Sequence, residues 1–250
     1  MDKSWSFTHA ALPRILAYIS LNHVGWSWRP FVKREQNKQS RRQAILAAAE
    51  KLIRENESVD FSVSDLATTA GVSVATLYNL VGTKTKVLYE LLNQSMDKID
   101  AVNLSSPKND PFEVAIEAGD IAVNVFTSDP RFFRPLYRFL LGAVEPVQRP
   151  AFMNRGFTFW RQRLSVLHTE GYLPPGVTVI EYARDFQLFF AGTLDLWVQN
   201  ELTEAQFRAQ VKHGCILRLL ALGHGKSRED LLKQLRRCSP SVREPLTARR

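Results

Sequence analysis

The sequence predicts an all-α fold in two helical parts, and three observations point to it. From Gln39 onward the apolar residues recur at helical spacing, with few alternating β-branched runs. Breaks at Ser105-Ser106-Pro107, Ser128-Asp129-Pro130, Gly171 with Pro174-Pro175, and Gly223-His224-Gly225 cut this pattern into helix-sized segments. Residues 61–86, FSVSDLATTAGVSVATLYNLVGTKTK, read as two short helices around a tight turn, a helix-turn-helix suited to a DNA groove.

The first helix is expected over 41–54, with Ile45, Leu46, Ala49, Leu52 and Ile53 inward. Ser62 and Asp65 have capping-box spacing for the next. Leu66, Ala67 and Ala70 form its inner face, and Ala67 must be small where the two short helices cross. Gly71 ends that helix in a left-handed backbone, Val72 plugs the turn, and Ser73 caps the second, whose Leu77 and Leu80 face inward. This leaves Val74, Ala75, Thr76, Tyr78 and Asn79 facing outward. A long helix over 84–100 carries Val87, Leu88, Leu91, Leu92 and Met96. A bundle follows, with helices expected over 111–127, 130–143, 150–170, 177–200 and 203–222, and a short amphipathic one over 228–237. Residues 185–197, DFQLFFAGTLDLW, are apolar nearly all round, as in a helix covered on more than one side. Val211, Cys215, Ile216, Leu219 and Leu220 give the next helix a wide stripe.

The chain's 250 residues and 45% hydrophobic content allow one small and one medium domain. Its net charge of +8 suits a polyanion, but equally a ribosome-side or membrane-surface protein. Basic residues cluster over 29–42 and from 228 onward. Each cluster alone reads as a solvated face or tail, but the first runs straight into the helix-turn-helix. Cys215 and Cys238 lack metal or redox spacing and read as reduced thiols in a cytoplasm. Residues 10–24 are fairly apolar but too short and broken, at Pro13, Arg14, Asn22 and His23, to span a membrane. With Trp5, Trp26, Trp28 and Phe31, residues 1–36 read as a docking arm, a DNA-reaching arm or sequence upstream of the true start. The last two readings are preferred and stay open.

Catalysis finds little support. His9, His23, His168, His213 and His224 are scattered, Glu181 and Asp185 fit a solvated helix face, and no phosphate-cradling loop or nucleophile elbow occurs. No enzyme, metal or cofactor is expected. A helical enzyme would need His168 or His213 beside a carboxylate in a cleft.

Helix 41–55, then Val63-Ser64-Asp65-Leu66-Ala67, Ala70-Gly71-Val72-Ser73 and Thr76-Leu77-Tyr78, then Lys84 with Leu88, form a pattern. It resembles the DNA-binding domain of TetR-family transcriptional regulators of the TetR/AcrR type. The sequence departs at Leu80-Val81-Gly82, where the family usually has a His or similar residue, an aromatic and a polar residue. The resemblance implies a three-helix helix-turn-helix domain with its linking helix over 39–100, after an extension over 1–38. A C-terminal helical-bundle effector-binding and dimerisation domain would cover 101–226, with a basic tail over 227–250. The DNA contacts it implies are Ser64, Val74, Ala75, Thr76, Tyr78, Asn79 and Lys84. The hydroxyls of Thr76 and Tyr78 and the charge of Lys84 suit phosphates, which fix register. Val74 and Ala75 suit a thymine methyl, and Asn79 suits adenine.

Gly192 to Phe207, with Trp197 and Leu202-Thr203-Glu204, resembles the family's dimerisation segment. Among the bundle's many aromatics, the candidates for lining an effector pocket are Tyr137, Trp160, Tyr182, Phe186 and Phe189. Asn124, Arg155, Asp185 and Gln187 could orient the molecule. The implied protein is a cytoplasmic, homodimeric repressor of double-stranded operator DNA, released by a small hydrophobic or aromatic effector. The alternative is a constitutive architectural DNA-binding protein without an effector.

Overall fold

The computed structural model describes residues 29–103 and 110–246, which form ten helices and no strand. Trp5, Trp26 and Trp28 of the N-terminal extension lie outside the described residues, as do residues 104–109. The chain divides into compact units of residues 1–39 and 40–250. Helix α1 spans Arg29–Asn56. It starts well before the expected position 41, because residues 31–40 are mostly straight-chain Lys, Arg, Gln and Glu, which cost little in a helix. Pro30 occupies the first turn, where its missing N–H is no loss. Residues 33–39 of the first unit are exposed.

The packed core lies in the second unit. Ile45, Leu46, Ala49 and Ile53 are buried on one face of α1. The helix-turn-helix pair, α2 (Val63–Thr69) and α3 (Val74–Leu80), adds Leu66, Ala67 and Leu77 to that core. Ser62 and Asp65 close a reciprocal cap on α2, and the Ser73 hydroxyl accepts from the Thr76 N–H to start α3. Gly71 turns the chain between them at φ +66°, with nothing near its α-carbon to oppose a side chain. Val72 N–H then bonds Ala67 O at 3.0 Å, which closes the turn.

Helix α4 (Lys84–Asn103) leads into the bundle of α5 (Pro111–Thr127), α6 (Pro130–Gly142), α7 (Gln148–Thr169), α8 (Val179–Val198), α9 (Glu204–Leu219) and α10 (Gly225–Val242). Asp110, Asp129, Thr178 and Thr203 cap α5, α6, α8 and α9, so a short polar side chain marks each start. Helix α7 has no such cap. The Glu145 carboxylate instead accepts the N–H groups of Val147, Gln148 and Arg149. Helix α5 packs against both α7 and α9, α8 covers α7, and α10 lies on α9. Gly119 brings α5 and α9 together: a β-carbon there would meet Val211 at 3.0 Å and Cys215 Sγ at 3.2 Å. Residues 227–242, expected as a basic tail holding a short helix, are helical throughout. Leu231 is buried, and Gln234 Nε2 donates to Glu113 at 2.6 Å.

Helix α8 is covered on only part of its circumference. Phe186, Leu194, Trp197 and Val198 are buried, whereas Ile180 and Leu188 are 56% and 64% exposed and Gly192 has nothing over it. Among the described residues, no helix is long and apolar enough to cross a membrane.

Candidate functional site

The helix-turn-helix presents one outward face. Ser64, Val74, Ala75, Tyr78 and Asn79 are all exposed on α2 and α3, with Tyr78 49% accessible. Large apolar and aromatic side chains open to water on a firmly capped short helix suit a surface that another molecule covers. Thr76 is half-buried, and its Oγ1 lies 2.8 Å from Ser73 Oγ, so it shares the cap. Lys84 is also half-buried, with Nζ 4.7 Å from the centre of the Phe61 ring. Burial holds this ammonium below the usual lysine range, partly offset by Asp60 nearby.

One residue of this region escaped sequence reasoning. Arg42 Nη1 donates to Leu80 O at 2.9 Å, and its Nε and Nη2 fork onto Glu90 at 3.0 and 2.5 Å. A single guanidinium thus fastens α1, the C-terminal end of α3, and α4 together. The carbonyl it holds belongs to Leu80, the first of the three residues that depart from the family pattern. Its sequence signal was a basic cluster, which could not show which charge turns inward.

The second feature is a cavity of about 70 Å³ lined by α4, α5, α6, α7 and α8. Its walls include Met96 and Ile99 from α4, Phe126 from α5, Tyr137 from α6, Met153 and Trp160 from α7, and Phe190 from α8. The rings are closely set: Phe126 lies edge-on to Tyr137 at 4.6 Å, and Trp160 lies 5.7 Å from Phe190. No lining residue is charged. The two larger polar side chains on the wall, Tyr137 and Gln187, are engaged elsewhere. Ser95 Oγ donates to Leu92 O at 2.6 Å, so the Tyr137 hydroxyl is the donor in its 2.7 Å bond to Ser95. Burial raises the Tyr137 phenol well above its ordinary value, which keeps it neutral. Gln187 Nε2 donates to Met153 O at 2.5 Å, and its Oε1 accepts from Arg184 at 2.6 Å.

Of the nine residues expected around an effector, the structure places Tyr137, Trp160 and Gln187 on this wall and the other six off it. Phe186 lies behind Trp160, its ring 5.4 Å away. Tyr182 donates its hydroxyl to Arg218 O at 2.5 Å on the α9 side. Phe189 covers Gly214, with the Arg218 guanidinium 4.1 Å above its ring. Asn124 accepts a bond from Arg208. Arg155 turns outward to α4, donating to Asn93 O and Oδ1 at 3.1 Å and to Asp97 at 2.7 Å. Helical periodicity gives a face but cannot tell which inward ring meets empty space.

The carboxylates singled out in the sequence have structural partners. Glu181 caps α8 at Thr178, which holds it below the usual carboxylate range, and Asp185 pairs with Arg218 at 2.6 Å. The half-buried His213 is pushed down by burial and by nearby Arg243. Among the described residues, no group of three or more His, Cys, Asp or Glu could hold a metal ion.

No protein-family model matches the sequence, and comparison with curated proteins found no match. Solved structures do match the fold. A putative TetR-family regulator from Syntrophomonas wolfei is 22% identical with TM-score 0.62, covering 75% of this chain and 98% of its own. A TetR regulator from Rhodococcus sp. RHA1 is 18% identical with TM-score 0.58, covering 75% and 100%. SmeT, the repressor of the Stenotrophomonas maltophilia multidrug efflux pump SmeDEF, is 18% identical with TM-score 0.56, covering 74% and 92%. The chain therefore has the all-α fold of TetR-family transcriptional regulators.

Proposed function

We propose that this chain is a cytoplasmic, homodimeric transcriptional regulator of the TetR family that binds operator DNA and is released by a small hydrophobic effector. The observation that carries the reading is the capped recognition helix α3, with Val74, Ala75, Tyr78 and Asn79 presented to solvent. Tyr78, Thr76 and Lys84 hold phosphates, and the exposed residues of α3 read base edges. Ser64 adds a contact from α2. Domain limits near residues 39 and 101 fit this division of labour, with DNA contact before the linking helix ends and effector contact after it.

Dimerisation is supported by the open strip of Ile180, Leu188 and Gly192 on α8, and Leu217 of α9 is 48% exposed. One helix-turn-helix reads only a few base pairs, and a two-fold partner doubles that contact. The apolar cavity supports an effector. Repression follows most simply, since a dimer on a promoter obstructs polymerase without further surfaces.

Nuclease footprinting on the DNA flanking the gene, at two salt concentrations, tests this. A protected, roughly palindromic site that survives moderate salt is expected. Diffuse protection that vanishes with salt would leave only phosphate attraction and refute specific regulation. The small cavity volume favours the second reading, a constitutive architectural protein. Failure of every apolar compound to raise the melting temperature would select it, because a ligand bound only by the folded state must stabilise that state.

A further inference from the structure

Helix α10 carries its charge unevenly. Residues 225–232 hold Lys226 and Arg228 against Glu229 and Asp230, which cancel. Residues 233–243 hold Lys233, Arg236, Arg237 and Arg243 and no acidic residue. All four are exposed, and among the described residues no carboxylate pairs with them. Lys233, Arg236 and Arg237 stand three and four positions apart and so share one face of the helix. Arg243 follows, roughly 15 Å along the axis from Lys233. The opposite face is held down, with Leu231 buried and Leu235 and Cys238 packed against the core.

The direction of α10 decides where this charge lies. At its start the His224 ring is 5.8 Å from Tyr172, whose ring is 4.8 Å from Phe112 at the start of α5. At its end Val242 O accepts from Gln210 at 3.5 Å, and Pro245 O accepts from Gln206 at 3.1 Å, both in the first two turns of α9. Arg208 of those turns donates to Thr127, the last residue of α5, at 3.2 Å. Two residues on, Asp129 pairs with Arg54 of α1 at 2.6 Å. Helix α10 therefore runs the same way as α5, from the far end of the bundle toward α1 and the helix-turn-helix. Its neutral half lies away from that domain and its basic half lies toward it.

The chemistry of the stripe selects the partner. A protein interface has an apolar or aromatic core. A helix lying on a membrane turns an apolar face to the lipid. Between Lys233 and Arg243 no large hydrophobic residue is exposed, and the apolar face of α10 is covered by α9. What remains offers charge and hydrogen-bond donors alone, which suits a phosphate backbone. Successive members of the stripe stand about one Debye length apart or less, roughly 8 Å at physiological salt, so their fields add.

We infer that the basic half of α10, from Lys233 to Arg243, is a second DNA-contacting surface that holds phosphates outside the segment α3 reads. This rests on the DNA-binding reading. Ammonium and guanidinium groups on an exposed stripe meet the backbone, so the contact is indifferent to sequence. It adds affinity and leaves the choice of operator to α3.

The test uses the full chain and a long duplex of random sequence. Acetylation followed by mass spectrometry compares Lys233 with Lys226, which is exposed on the neutral half of the same helix. Bound duplex slows acetylation of Lys233 and leaves Lys226 unchanged. Arg236→Gln with Arg237→Gln flattens the salt dependence of duplex binding by about 1.8 per protomer, at about 0.9 for each lost contact. Between about 50 and 200 mM salt, the unaltered chain then loses about twelvefold more affinity than the variant. The control is Lys98→Gln with Arg161→Gln, two exposed charges on α4 and α7. It lowers the net charge equally and leaves the slope unchanged. Equal flattening by the control would reduce the effect to net charge and overturn the inference. Equal protection of Lys233 by polyglutamate at matched charge would overturn it in favour of an acidic protein partner. A retarded duplex that leaves Lys233 reacting at its free rate would overturn the inference alone, whereas a chain that retards no duplex would overturn the DNA-binding reading with it.

Discussion

Removing one oxygen from α3 gives a stringent test of whether this surface meets DNA. Tyr78 is 49% exposed, and among the described residues no hydrogen bond holds its hydroxyl. Tyr78→Phe therefore leaves the folded protein almost untouched, within the roughly 0.5 kcal/mol typical of surface changes. On DNA the same hydroxyl would donate to a charged phosphate, a bond worth about 1.5 kcal/mol at the lower end of its class. A dimer makes the contact twice, so about 3 kcal/mol is lost, or roughly 150-fold in affinity. The assay is fluorescence anisotropy on operator and on scrambled duplex, each at three salt concentrations, with a thermal melt alongside. Both duplexes weaken by similar factors, since a phosphate contact carries no sequence information. The slope of affinity against salt stays constant, because an uncharged group releases no counterions. An unchanged binding curve would refute the placement. Loss confined to the operator would make Tyr78 a base reader, and a lower melting temperature would make it a core residue.

Lys84→Gln should behave differently, flattening the salt slope by about 0.9 per copy. It should also destabilise the free protein by about 0.5–2 kcal/mol through loss of its contact with the Phe61 ring. A flattened slope with unchanged urea unfolding would refute the second part. Gly71→Ala should cost about 1 kcal/mol, measured by urea unfolding, purely from the left-handed backbone at φ +66°, because no atom crowds the site. An unaltered midpoint would contradict the turn geometry. Burial pushes the Cys215 thiol up from 9.0 to about 12, so the unfolded chain ionises first. The thiol's stabilising contribution is complete below pH 9 and is lost as pH rises toward 12. Cys215→Ala should make stability less dependent on pH between 9 and 11, and an identical slope in urea unfolding would count against a fully buried thiol.

The helix-turn-helix was legible in the sequence because its determinants are local. Ser62 with Asp65, Gly71, and Ser73 with Thr76 each act over three or four residues, and each makes the bond its spacing predicts or takes the expected backbone. The later helices were legible for the same reason, since Asp110, Asp129, Thr178 and Thr203 stand at the breaks where the caps form. The start of α1 was missed because no breaker precedes the apolar stripe. The polar residues from Lys33 to Ser40 are mostly good helix formers and all exposed, so periodicity had nothing to report there.

What bears on regulation is set by pairings across long stretches of chain, which a one-dimensional pattern cannot encode. Arg155 and Tyr137 were equally plausible from sequence, as polar-tipped residues on helices with apolar faces. The structure turns Arg155 outward to carboxylates 55 and 58 positions away, and binds Tyr137 inward to Ser95, 42 positions away. The difference follows from charge. A guanidinium gains from partly hydrated partners on the outside of a seam, whereas a neutral phenol can be buried once its one proton is accepted. The cavity was invisible for a related reason: sequence shows how many rings face inward, but not where they fail to meet. The arrangement places a void beside the most deformable side chains, on the helix pair whose outer edge is closed by one ion-pair cluster. Under the proposed function, a molecule that filled this void would act beside α4, which Glu90 and Arg42 tie to α1 and to the end of α3.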